Sequence, residues 1–199
     1  MSENKEKLSN NFHNIILTRR SIRRFKQTAI DIEILKKLVN AGRLAPSAAN
    51  LQPLEYFIIN DEKLCADIFD TIRWAAYIKP EWKPIKKERP TAYILMLVTD
   101  TKNKYYLRDV SLATENIILA AEAEKIGSCI LCNIDREKIR SILKIPLSLN
   151  IDSLIALGYK AEFPVVEDLK DSVKYWRDEE MVLHVPKRRL ENIIHINRF

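Results

Sequence analysis

Ala45-Pro-Ser-Ala-Ala-Asn-Leu-Gln-Pro53, followed almost at once by Glu55-Tyr-Phe-Ile-Ile59, reads as a tight polar connection running into a β-strand. Proline at either end resists helix, the small residues permit close turns, and the Tyr-Phe-Ile-Ile run consists of strong β-formers. Just before it, Asp31 is placed to cap a helix through Arg43. Ile34, Leu35, Leu38 and Val39 recur there at helical spacing, with Lys36, Lys37 and Asn40 opposite. Gly42 and then Pro46 are expected to stop that helix. Helix, turn and strand in succession open a mixed α/β chain.

Further along, Lys63–Tyr77 reads as helical. Lys79–Pro90 holds Pro80, Pro84, Pro90 and Trp82 among charges, and is expected to be an ordered loop or lid. Tyr93–Val98 is a continuous apolar run, hence a strand covered on both faces. Asp109 is expected to open a long helix to about Lys125. Ala113, Ile117, Ala120, Ala121 and Ala123 give it a small-residue packing surface, and Leu112, Ile118 and Leu119 widen the apolar stripe. Gly127 is expected to cap it. Ser128-Cys-Ile-Leu-Cys-Asn133 reads as a short strand, Arg136–Leu143 as a helix and Leu154–Leu157 as a strand. The end of the chain carries a basic cluster, Lys187-Arg-Arg189, and an amphipathic tail to Phe199. With no repeat, low-complexity tract or linker in view, one domain over residues 1–199 is the expectation.

Composition narrows the function. In 199 residues, 47% are hydrophobic and 30% charged, enough for a sizeable core without disulfide or metal staples. No apolar run reaches the roughly 18 residues that would span a bilayer. Met1–Asn11 is polar and holds no secretory core, so a cytoplasmic protein is expected. The only glycines are Gly42, Gly127 and Gly158, too scattered for a glycine-rich phosphate cradle. Any phosphate must therefore be met by side-chain charge, and 33 Lys+Arg against 27 Asp+Glu allow it. Cys129 and Cys132 form a C-x-x-C, but three residues apart on a strand they would point to opposite faces and could neither pair nor share a metal. They are expected to be buried structural thiols, with redox chemistry as the alternative. His13, His184 and His195 have no ligand spacing, so no metal site is expected.

Thr18-Arg-Arg-Ser-Ile-Arg-Arg-Phe25 places four arginines and two hydroxyls in eight residues, with Ile22 and Phe25 as apolar anchors. Arg19 and Arg23 stand four apart, which on a helix is one face. Two guanidiniums beside Ser21 suit a phosphomonoester. A solvated basic helix end and a nucleic-acid patch are the other readings of the same residues.

Taken together, these motifs resemble the FMN-dependent nitroreductase family. Arg19-Arg20-Ser21-Ile22-Arg23 is similar to its R-R-S-x-R opening, and Ala45–Pro53 to its A-P-S-x-x-N-x-Q-P segment. Asp109–Gly127 resembles its long helix, Ile155-Ala-Leu-Gly-Tyr159 its strand ending in L-G-Y, and Val185-Pro-Lys-Arg188 its basic C-terminal signature. The resemblance implies an α+β fold, a central, mostly antiparallel sheet flanked by helices, built as a homodimer with flavin sites at the interface. It implies FMN as cofactor and NADH or NADPH as electron donor. Arg19, Arg20, Ser21 and Arg23 would belong to the cofactor site, with Arg19, Arg23 and Arg188 on the phosphate. Arg189 stands where relatives carry proline, so either Arg188 or Arg189 could make that contact. Pro46, Ser47, Asn50 and Gln52 would approach the flavin held mainly by the other subunit. The backbone of Ile130, Leu131 and Cys132 would lie beside the ring. No side chain is nominated as catalytic, because the flavin carries the chemistry. Hydride would pass by a ping-pong route to a flat electrophile such as a nitroaromatic or quinone. Trp74, Tyr77 and Trp82 could stack on that substrate; the other reading, equally open for Trp74, is that they are core residues of their own element. The same fold also implies an alternative, a specialised flavoprotein such as a dehalogenase or metabolite dehydrogenase. A basic nucleic-acid-binding protein is the remaining alternative, and neither nucleic acid nor membrane is expected as a partner.

Overall fold

The computed structural model describes residues 12–78 and 82–198; Met1–Asn11, the head of the expected loop at Lys79–Glu81, and Phe199 lie outside the described residues. β1 (Leu54–Ile59), β2 (Ala92–Val98), β3 (Ile126–Leu131) and β4 (Asn150–Tyr159) form an antiparallel sheet in the order β1-β2-β4-β3. Every residue of β2 is buried, as its unbroken apolar run requires. Alternation then sorts its side chains between two cores. Tyr93, Leu95 and Leu97 join Ile22, Phe25 and residues of α3 (Glu62–Phe69) and α5 (Arg136–Leu143) on one face. Ile94, Met96 and Val98 join residues of α2 (Ile32–Arg43) and α4 (Tyr106–Ala123) on the other. This is the α+β arrangement expected.

Asp31 caps α2 by accepting from the Glu33 amide at 2.7 Å. Gly42 does not stop the helix but sits inside it. A Cβ there would come within 2.8 Å of the Ile117 side chain, so its bareness lets α2 lie against α4. Nor does Gly127 cap α4. That helix starts at Tyr106, three residues before Asp109, and ends at Ala123 with Lys125 taking the left-handed conformation (φ 61°). Gly127 is within β3 and is paired across the sheet with Gly158 of β4. A Cβ on Gly127 would approach Ile22 to 2.9 Å, and one on Gly158 would approach Phe25 to 2.8 Å. The two glycines make a flat window on which the arginine-rich segment is seated.

That segment is not helical. Residues 12–18 form α1, and the chain then runs extended, bridging Ser21 to Ser128 and Phe25 to Lys160. A helix through Tyr77 is also overturned, since α3 ends at Phe69. Thr71 and Ile72 leave it for an isolated bridge to Ile134, with Arg73 donating to the Asn133 carbonyl at 3.1 Å. Two β-branched residues with a strand-like partner within reach outweigh local helix propensity. After β4, β5 (Val165–Asp168), β6 (Trp176–Arg177) and β7 (Leu183–Lys187) form a second sheet in the order β5-β7-β6, which the sequence reading did not anticipate.

Candidate functional site

Ile22 and Phe25 are 1% and 0% exposed, so the arginine segment is pinned by its apolar anchors. Ile22 N donates to the Ser128 carbonyl at 2.8 Å, which lays the segment along the outer edge of β3. An extended chain repeats every two residues, so Arg19, Ser21 and Arg23 share a side here, whereas a helix would keep the two arginines together and turn Ser21 away from them. The four guanidiniums have different surroundings. Arg24 pairs with Glu88 at 2.6 Å, and Arg20 folds back on the Arg19 and Leu17 carbonyls at 2.5 and 2.7 Å. Burial and the neighbouring Arg19 push the Arg20 pKa down. Among the described residues, Arg19 has one carboxylate within reach, Glu115 of α4 at 4.0 Å. Arg23 lies over the Tyr175 ring, 4.7 Å from its centroid.

Glu162 supports this segment from behind. Its Oε1 accepts from the Arg23 and Arg24 amides at 2.5 and 3.2 Å, and its Oε2 from Arg177 Nη2 at 2.6 Å. Both side chains of that ion pair are about 5% exposed or less. Arg177 in turn lies over Trp82, at 4.9 Å. Glu162, Tyr175 and Arg177 were not anticipated, because one glutamate among the charges after Tyr159 carries no motif.

Ile130 and Cys132 continue the open side of β3. Strand alternation turns the backbone groups of Ser128 and Ile130 toward that edge, whereas Leu131, paired with Leu154, faces β4. Cys129 is buried as expected, but Cys132, just past the end of β3, is exposed, which departs from the expectation of a buried thiol. Burial pushes the Cys129 thiol pKa up despite nearby Arg23. Of the aromatic residues, Tyr77 is half exposed and tilts against Tyr175 at 5.2 Å. Trp74 departs from expectation: it is 4% exposed and packs in the core on Phe69 at 5.5 Å, so it offers no face to a ligand.

The Pro46–Gln52 segment forms a separate cluster. It turns through a short 3-10 helix at Ala48–Asn50, with Ala49, Asn50 and Gln52 all at positive φ. Three non-glycine residues in that region are costly, at about 1 kcal/mol or more each. Two side chains hold the turn. Ser47 Oγ accepts from Gln52 N at 3.0 Å, and Asp109 Oδ1 accepts from Ala48 N at 2.9 Å. Asp109 is 3% exposed and its Oδ2 has no partner among the described residues. A cavity of about 130 Å³ lies beneath, lined by Gly42, Pro46, Ser47, Gln52, Tyr56 and Asp109. Burial raises the Tyr56 hydroxyl pKa there. Pro46, Asn50 and Gln52 are themselves exposed. Among the described residues no hydrogen bond or ion pair joins them to the arginine segment.

Arg188 and Arg189 follow β7. Arg189 is held by Asp168 at 2.8 Å, whereas Arg188 donates only to the Asn192 carbonyl at 2.7 Å.

The Nitroreductase family model matches residues 16–159. A protein of Archaeoglobus fulgidus, provisionally named NADH dehydrogenase/NAD(P)H nitroreductase, is 31% identical over 153 residues, covering 73% of this chain and 83% of that one. An iodotyrosine deiodinase of Thermotoga neapolitana is 27% identical over 158 residues, covering 71% and 84%. Among solved structures, an FMN-dependent nitroreductase of Clostridium difficile superposes with a TM-score of 0.67 at 23% identity, covering 93% of this chain and 98% of that one.

Proposed function

The chain belongs to the Nitroreductase family, and on that premise we propose that it is a homodimeric FMN-dependent oxidoreductase drawing hydride from NADH or NADPH. The observation that carries this reading is the contrast among the four arginines. Arg20 is turned onto backbone carbonyls and Arg24 is paired with Glu88 at 2.6 Å, while among the described residues Arg23 has no carboxylate partner and Arg19 has a single long contact with Glu115 at 4.0 Å. Such a donor set fits a phosphomonoester dianion in a chain that has no glycine-rich loop. Arg188, which has no carboxylate partner among the described residues where Arg189 is paired with Asp168, is the better third cation.

FMN, when bound, supplies the hydride acceptor and donor for NAD(P)H and a second, flat substrate. The chain's part is to hold and orient it. Arg19, Ser21 and Arg23 would fix the phosphate end. The backbone of Ile130 and Cys132, on the unpaired side of an edge strand, would meet the ring.

Pro46, Ser47, Asn50 and Gln52 would come from the partner subunit. The geometry of α4 supports this. Asp109 holds the Pro46–Gln52 turn, Glu115 stands near Arg19, and exposed Leu112 lies midway between them. A two-fold axis near Leu112 would bring each subunit's turn toward the other's arginines.

Reductive dehalogenation on the same flavin is the second reading, favoured by the resemblance to the Thermotoga deiodinase. The test is the visible spectrum of the purified, FMN-reconstituted protein during anaerobic NADH and NADPH addition. Rapid bleaching supports the oxidoreductase. Failure to bleach with either donor, with iodotyrosine turnover by chemically reduced protein, supports the dehalogenase. Failure to take up FMN at all overturns both.

A further inference from the structure

Glu162 and Arg177 are the most enclosed charged pair near the arginine segment, with side chains 4% and 5% exposed. Their arrangement is asymmetric. One carboxylate oxygen is spent on two backbone amides, Arg23 N and Arg24 N, and the other on the Arg177 guanidinium. A carboxylate is the strongest acceptor for consecutive amides, but it is also the wrong charge to leave behind a phosphate site. Arg177 removes that conflict by cancelling the charge. It reaches Glu162 from β6, and Trp82 lies under its guanidinium at 4.9 Å, so the pair also ties the second sheet and the Trp82 segment to the arginines.

We propose that Glu162 and Arg177 form a charge-cancelled positioning device: Glu162 sets the backbone at Arg23 for phosphate binding, and Arg177 keeps that carboxylate from repelling the phosphate. The inference rests on the FMN reading above. Neither residue is a catalytic residue.

The signature is an inverted charge dependence that a purely structural ion pair would not give. Arg177→Met leaves an uncancelled carboxylate, and FMN affinity falls by about tenfold or more. Glu162→Gln keeps an amide oxygen for the two N–H groups and removes the negative charge, though its NH2 then faces the Arg177 guanidinium, so FMN affinity falls less than in Arg177→Met. The double variant Glu162→Gln/Arg177→Met regains FMN affinity to within a few-fold. Riboflavin, which has no phosphate, isolates the electrostatic part, because its affinity stays nearly constant across the series.

The experiment is fluorescence titration of each apoprotein with FMN and with riboflavin, alongside thermal melting. Loss of FMN affinity in Arg177→Met with recovery in the double variant supports the device. Equal losses for FMN and riboflavin, or Glu162→Gln weakening FMN as much as Arg177→Met does, would overturn it. If Arg177→Met does not fold, Glu162→Gln and the double variant still decide the matter. A wild-type protein that binds FMN no better than riboflavin would instead sink the phosphate assignment itself.

Discussion

Arg23 is the side chain whose loss reads most directly on the proposed phosphate contact. A charge-assisted hydrogen bond is worth about 1.5–3 kcal/mol, so Arg23→Ala should weaken FMN binding roughly ten- to a hundredfold. Arg24→Ala should cost much less, because Arg24 already spends its charge on Glu88. A titration showing equal losses would place the phosphate elsewhere. The cysteines make a second contrast. Burial and Asp61 push the Cys65 thiol up to about 12, and burial also raises Cys129, while Cys132 is exposed. Iodoacetamide on the native protein near pH 8 should therefore modify Cys132 alone, read by mass spectrometry. Rapid labelling of Cys65 or Cys129 would show that the core opens. Arg19 and Arg23 could be picked out in sequence because a spacing of four places residues together in both extended and helical chains, and Ser21 joins them only because the chain is extended. Glu162 could not. Its function comes from where β4 ends, and nothing near it in the chain records that.

β3 and β4 show how far pattern reading reaches. Uninterrupted apolar runs and capping residues located β2, α2 and α5, whose signals are local. The roles of Gly42, Gly127 and Gly158 were not readable, because each answers to a side chain distant in sequence: Ile117, Ile22 and Phe25. Overpacking such contacts costs about 1–3 kcal/mol, so Gly127→Ala should lower Tm by several degrees and also loosen FMN, since Ile22 carries the arginine segment. A variant that melts normally and binds FMN normally would show that the window tolerates a methyl. The second sheet escaped notice because its strands are short and exposed, with a charged cluster in place of an apolar core. His184 on β7 faces Glu167 of β5 at 3.1 Å and Asp178 at 3.0 Å, and it stacks on Trp176 at 4.1 Å. Its hydrogen bonds to Asp178 and Glu167 raise its pKa. The bond from Trp176 and the bonds with His184 lower those of Glu167 and Asp178. A raised histidine contributes stability that is full below about pH 6.5 and lost as pH rises through its folded value. The lowered carboxylates contribute stability present above about pH 4 and lost as pH falls through their folded values. The second sheet should thus be firmest in the mildly acidic window between. Trp176 fluorescence followed against pH should show a transition on the alkaline side that His184→Gln abolishes; an unchanged transition would assign it to another group.

In the proposed dimer, assembly brings the two halves of the candidate site together. Within one chain, the turn at Pro46–Gln52 and the arginine segment hang on the same helix, near Asp109 and Glu115. Six residues of helix rise about 9 Å, which sets the two attachment points apart along α4; in the proposed dimer the turn serves the partner's flavin. The surface between and around them is apolar for a solvent-facing region. Leu112 is 45% exposed on α4, Leu107 56%, and Phe12, Ile16 and Leu17 on α1 are each about half exposed. One charge placed at the centre of a self-complementary face is repeated by symmetry and meets its copy. Leu112→Glu should therefore convert the dimer to monomer in sedimentation. Leu147→Glu, at a position 88% exposed after α5, should leave it dimeric and serves as the control. Because the partner's turn departs with the partner, FMN affinity should fall together with the dimer, by about tenfold or more. Chain folding should survive, since Leu112 lies outside both cores. A Leu112→Glu monomer that keeps full FMN affinity would mean that each chain holds its flavin alone, and Pro46, Ser47, Asn50 and Gln52 would lose their place in the site.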